Sequence, residues 1–181
     1  QAASMGLYAF VIGLGKHHGL ELAFISGTLG TADWLGMLGP TLVVVLSTRY
    51  GVFKPVVGGM LIALLYTFAF NHCEVKWIWI AANVAMQITW NFTISHLFGM
   101  CARFDQTGQS AVWGSFASKA GMASGPMLFS FIVGVGNYSA LIAMALVMLV
   151  LATVATAIPA WVLDRDAAMP SAIELAGEST S

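Results

Sequence analysis

The sequence predicts an all-α membrane protein of six helices, built as two inverted three-helix repeats, and three observations predict it. Hydrophobic residues make up 59% of the 181 and charged residues 8%, where a soluble domain typically carries about 25% charged residues. The mean hydropathy is +0.84. Long apolar runs recur along the chain, and about 20 such residues cross a bilayer core as a helix. Two of these runs echo each other: "ADWLGMLGP" at 32–40 and "SKAGMASGP" at 118–126.

Six apolar segments are read in order, at about 2–15, 20–48, 53–70, 77–100, 109–134 and 138–163. The first is short for a span and looks cut, so the chain reads as starting inside a longer protein. The connections "KHHG", "TRYGVFK", "NHCEVK", "ARFDQTGQ" and "GVGNY" are short, which makes successive segments cross in opposite directions. Arg49, Lys54, Arg103 and Arg165 then fall on one side, and Lys16 and Lys76 on the other. Positive charge favours the cytoplasmic face, so the C-terminus is expected inside. The transmembrane part is 1–163, with repeats at about 1–70 and 77–163, and 164–181 is a polar tail expected to be disordered.

The repeat carries its own chemistry. Gly39-Pro40 and Gly125-Pro126 occupy matching places, and Asp33 and Lys119 each stand seven residues before the proline. Such repeats place ligand sites near the midplane on interrupted helices. A charge at the bilayer centre costs about 2.5–3.5 kcal/mol on insertion scales, so Asp33 and Lys119 face either a water-accessible pathway or a static partner. Gly121 and Gly125, with Ala117, leave one smooth helix face, as Gly36 and Gly39 do less completely. Small faces let helices pack closely.

In the fourth segment Asn83, Gln87, Asn91 and Ser95 recur every four residues, one side of a helix. Buried amides cost several kcal/mol without partners. The stripe therefore lines a cavity or bonds neighbouring helices, with Gln87 and Asn91 nearest mid-span.

Other chemistry is thinly supported. Cys73 and Cys101 fall on opposite sides and lack metal-ligand spacing, so neither a disulfide nor a metal site is expected. His17, His18 and His72 read as solvated loop residues. His96 has no carboxylate or histidine at catalytic spacing, so no enzyme is expected. A net charge of −1 without a basic cluster argues against nucleic acid. The phosphate-binding pattern G-x-x-x-x-G-K-[ST] is absent, and no cofactor is expected.

The stretch "FDQTGQSAVWGSFASKAGMASGPMLFSFIVGVGNYSALIAMAL" resembles the junction of the tenth and eleventh helices in major facilitator superfamily transporters, through Asp105, Gly108, Gly121, Gly125 and Pro126. "TRYGVFKP" is similar to a decayed cytoplasmic loop of that family through Arg49, Gly51 and Lys54, with Thr48 where an Asp is common. The resemblance implies the C-terminal six-helix half, helices seven to twelve. It implies a secondary active transporter working by alternating access and coupled to protons or another ion. Its partners are then a small-molecule solute, the lipid bilayer and an N-terminal half outside this chain, in the plasma membrane. Asp33, Lys119, Asn83, Gln87, Asn91 and Trp113 become substrate or coupling residues. Gly39, Pro40, Gly121, Gly125, Pro126 and Arg49 become conformational or packing residues. Lys119 favours an organic anion; efflux of drug-like or sugar compounds is the alternative. A non-transporting membrane scaffold or sensor is the reading from another class.

Overall fold

A computed structural model describes the backbone of residues 1–104, 108–134 and 136–178, with side chains except at 47–49 and 166–178. Helix follows helix through the described residues. α1 (Ala2–Ala9) and α2 (Val11–His17) form one rod interrupted at Phe10, whose N–H donates to Leu7 O at 3.2 Å in a tightened turn. α2 closes on Gly19 at φ +76. The Gly19 N–H donates to Lys16 O and the Leu20 N–H to Gly15 O, both at 3.0 Å. This closure satisfies two end carbonyls and needs a left-handed residue, a conformation glycine adopts without a Cβ penalty.

α3 (Leu22–Gly36) and α4 (Leu38–Tyr50) form a second rod, broken at Met37. Pro40 accounts for the break: it lacks an N–H, and its ring crowds the carbonyl four residues back, that of Gly36. Pro126 behaves differently, since α7 (Gln109–Val133) runs through it. α5 (Phe53–Ala69) ends in a 3-10 turn at Phe70–His72 and is followed by α6 (Lys76–Arg103). The chain finishes in α8 (Tyr138–Glu178), so the range read as a polar tail begins within a helix.

α6 lies at the centre, against α3, α4 and α5; α5 also packs on α8, and α1 packs on α7 and α8. The larger core joins Leu7, Leu14, Ile25, Phe70, Trp79, Met86, Phe129 and Leu141. A smaller one, Val52, Val56, Met100 and Ala160, closes the other end of α5 and α6. Glycines set the closest approaches. A Cβ on Gly39 would stand 2.5 Å from Ile88 O and 2.7 Å from Phe92 N, on α6. One on Gly125 would stand 2.5 Å from Ala2 O, and one on Gly121 would stand 3.0 Å from Gln1 Cβ. The side chain of Arg49 and the whole of Asp105 lie outside the described residues.

Six membrane-crossing helices were expected, and among the described residues three are long and apolar enough by length and composition: Leu22–Leu46, Phe53–His72 and Tyr138–Arg165. α1 and α2 have 8 and 7 residues. α6 and α7 are long, at 28 and 25 residues, but amides, serines and threonines dilute their apolar character. The bundle instead closes on itself through dense contacts between distant helices. This corrects the fold class: the six-helix half of two inverted repeats does not hold, nor does the identification with the major facilitator superfamily. What rested on that half falls with it. That covers alternating-access transport of an organic anion or other solute, the coupling proton, the missing N-terminal half, the bilayer partner and multi-pass placement in the plasma membrane. The membrane scaffold or sensor variant rested on the same count and falls too.

Candidate functional site

The polar groups that converge lie where α1, α3 and α6 meet. Ala32, Gly36 and Gly39 are the buried face of the α3–α4 rod, and Gly36 admits α6 closely: a Cβ there would lie 3.1 Å from Gln87 Cβ and 3.0 Å from Asn91 Nδ2. Asp33, one residue off this face, is exposed. The close approach lets Gln87 Nε2 donate to Asp33 Oδ1. From α1, the Tyr8 hydroxyl approaches the same carboxylate, at 3.4 Å from Oδ1 and 3.5 Å from Oδ2. Tyr8 in turn stands beside Trp90, ring centroids 6.3 Å apart. The Trp90 indole N–H donates to Gln1 Oε1 at 2.9 Å. One carboxylate, two amides, one phenol and one indole thus form a continuous polar and aromatic patch.

The rest of the amide stripe turns inward on its own helix. Asn83 Nδ2 donates to Trp79 O and Asn91 Nδ2 to Gln87 O, each at 2.9 Å, and Ser95 Oγ donates to Asn91 O at 2.8 Å. These bonds to the carbonyl four residues back give each side-chain donor a partner without a cavity. Asn83 is fully buried and its Oδ1 has no partner. Asn83→Leu is therefore expected to melt at or above the wild-type temperature, because an orphaned buried acceptor costs about 1–3 kcal/mol. Thermal unfolding followed by circular dichroism checks this; a drop of several degrees would assign Asn83 a stabilising role.

Lys119 is exposed on α7 and makes no ion pair among the described residues, where the only such pair joins His18 and Glu74. The sequence set Asp33 and Lys119 as counterparts; the structure does not bring them together. Trp113 is likewise exposed and packs edge-on against Phe116, centroids 6.0 Å apart. Tyr8 and Gln1 were not anticipated as site residues. The one available signal was a phenol in an otherwise apolar first segment.

At the end of the bundle around the α2–α3 turn, His18 Nδ1 lies 3.9 Å from Glu74 Oε1, and His17 stacks on Tyr138, centroids 4.9 Å apart. Burial, then the neighbouring His17, hold the His18 imidazole below its usual value, with Glu74 opposing. Burial pushes the Cys73 thiol up to about 12, leaving it an inert thiol at neutral pH. Among the described residues, no group of three or more His, Cys, Asp or Glu is placed to hold a metal ion. No protein family, curated protein or solved structure matches the chain.

Proposed function

We propose that the chain is a ligand-binding helical bundle, and that the Asp33–Gln87–Tyr8 patch receives the ammonium group of a small aromatic amine. The observation that carries this is the exposure of Asp33 while two other helices supply fixed polar contacts to it. Held as it is, Asp33 keeps lone pairs free on its solvent side, and an ammonium offers three donors to a carboxylate, a phenol oxygen and an amide oxygen. Tyr8 and Trp90 beside it supply aromatic surface for an aromatic body and for the cation.

The proposal is binding rather than catalysis. The patch offers one carboxylate and one phenol, with no thiol or imidazole among its contacts. Lys119, Trp113, Asn83 and Asn91 take no part in it.

Calorimetric titration of the purified full chain with phenethylammonium tests the reading. Asp33→Asn is expected to weaken binding at least ten-fold, about 1.4 kcal/mol, and added salt is expected to weaken it in the wild type. Equal affinity in wild type and Asp33→Asn would remove the assignment.

A further inference from the structure

A groove of about 320 Å³ runs between α4, α5 and α6, and no residue of the amine patch lines it. Leu42, Leu46, Pro55, Ile62, Ile88 and Phe92 give it apolar walls, with Thr89 among them. α4 and α5 lead away from the turn at Gly51 and Val52. Tyr50 and Lys54 therefore stand at the turn end of the groove, and Leu42 and Ile62 at the other. Tyr50 and Lys54 are exposed, and Lys54 makes no ion pair among the described residues.

Gly58 keeps the groove open. A Cβ built on it would meet no atom within 4 Å, whereas one on Gly59 would lie 3.2 Å from the Phe92 ring. Gly59 thus serves the contact of α5 with α6, and Gly58 borders free space. Exposed apolar surface rimmed by polar groups marks a ligand groove or an interface, and here the rim is one-sided. The ionisable side chains that line the groove are one ammonium and one phenol, both hydrogen-bond donors. No carboxylate lines it. Its polar end is matched by an anionic acceptor, and its body by an apolar chain.

We propose that this groove binds a single-chain fatty carboxylate, its head group held by Lys54 and Tyr50 and its tail lying past Gly58 towards Ile62. Two helices supply one donor each, which suits the two oxygens of a carboxylate. Ile62 stands eight residues after Lys54, about 12 Å along α5 at the helical rise. A zigzag of carbon–carbon bonds of about 1.5 Å spans that distance with about ten carbons. The volume agrees, since it lies at the low end of the range of about 300–1,000 Å³ for ligand pockets. It takes one chain, and not the two of a phospholipid.

The test is calorimetric titration of the purified full chain with decanoate, decanol and decyltrimethylammonium, each kept below the concentration at which it aggregates. Wild type, Lys54→Met, Gly58→Leu and Asp33→Asn are compared, and each variant's melting temperature is taken first. Lys54→Met keeps an apolar stem and removes the charge at an exposed position, so it is expected to melt as the wild type does. Its affinity for decanoate is expected to fall at least five-fold while its affinity for decanol holds. An exposed charge pair is screened by salt, so added salt is expected to weaken decanoate and leave decanol unchanged. The wild type is expected to bind decanoate at least five-fold more tightly than decyltrimethylammonium, a comparison that needs no variant to fold. Gly58→Leu fills the space and is expected to abolish binding of decanoate and decanol. Asp33→Asn is expected to bind decanoate as the wild type does, which keeps this site distinct from the amine site. Equal decanoate affinity in wild type and Lys54→Met overturns the proposal, as does decyltrimethylammonium bound as tightly as decanoate. So does saturable binding that survives in a folded Gly58→Leu, its loss in Asp33→Asn, or no saturable decanoate binding in the wild type.

Discussion

Gly39→Ala is expected to lower the melting temperature by roughly 6–12 °C. One added methyl group meets the backbone of α6 at two atoms, Ile88 O at 2.5 Å and Phe92 N at 2.7 Å. Backbone does not rotate away as a side-chain tip does, so the rods must separate along their contact. Overpacking typically costs about 1–3 kcal/mol, and the backbone contact puts this case near the top. For a chain of this size each kcal/mol shifts the midpoint by about 2–4 °C. The comparison variant is Gly27→Ala on the same rod, where no atom lies within 4 Å of the added Cβ. There the better helix propensity of alanine, about 1 kcal/mol, is expected to raise the midpoint. If both variants shift alike in thermal unfolding, the close crossing at Gly39 does not govern stability.

Asp164→Ala is expected to cost about 2–3 kcal/mol. The Asp164 carboxylate on α8 accepts the Val52 N–H at 2.8 Å and the Phe53 N–H at 2.9 Å, at the start of α5. The first N–H groups of a helix have no partner within it, and a charged acceptor there also meets the positive end of the helix dipole. Charge-assisted bonds of this kind contribute about 1.5–3 kcal/mol. The contact is made possible by Gly51, at φ +69 and ψ −153, a region in which a side chain is strained. A Cβ there would also lie 2.7 Å from Asp164 Oδ2. Asp164→Asn keeps an acceptor without the charge and is expected to recover about half the loss. Denaturant melts of the three proteins decide it; equal midpoints would show that water caps α5 equally well.

The positions of the helices were legible in the sequence because apolar runs separated by short polar connections leave few other structures. Their nature was less legible. Averaging hydropathy over the fourth and fifth segments counted them as spans, although the amides of α6 and the serines of α7 dilute them. The first segment hid a break at Phe10 that no proline or glycine pair announced. Asp33 and Gln87 were both singled out, yet for separate reasons. Spacing along a helix reports which residues share a face, and says nothing of which helix that face meets. Symmetry between the two Gly-Pro pairs matched Asp33 with Lys119 in position and left open whether they touch; the contacts of Asp33 came from α6 and α1. Asp164 was read only as the first residue of a tail. An acidic residue ending an apolar run carries no local trace of a helix start more than a hundred residues earlier.

The seat of α1 fixes an order of events during synthesis. Gly6 lies under the Phe129 ring, where a Cβ would come within 2.6 Å of Phe129 Cε2, and α1 otherwise packs on α7 and α8. Apart from Tyr8, which reaches Asp33 on α3, the main native neighbours of α1 therefore emerge more than a hundred residues after it. At about 5–20 residues per second, roughly 6–25 s pass between the appearance of Gly6 and that of Phe129. For that interval the side of α1 that packs on α7 and α8, Gly6 with it, has nothing native to cover it. A nascent chain halted before α7 should thus hold α1 accessible to a chaperone or a protease, and one released after α8 should not.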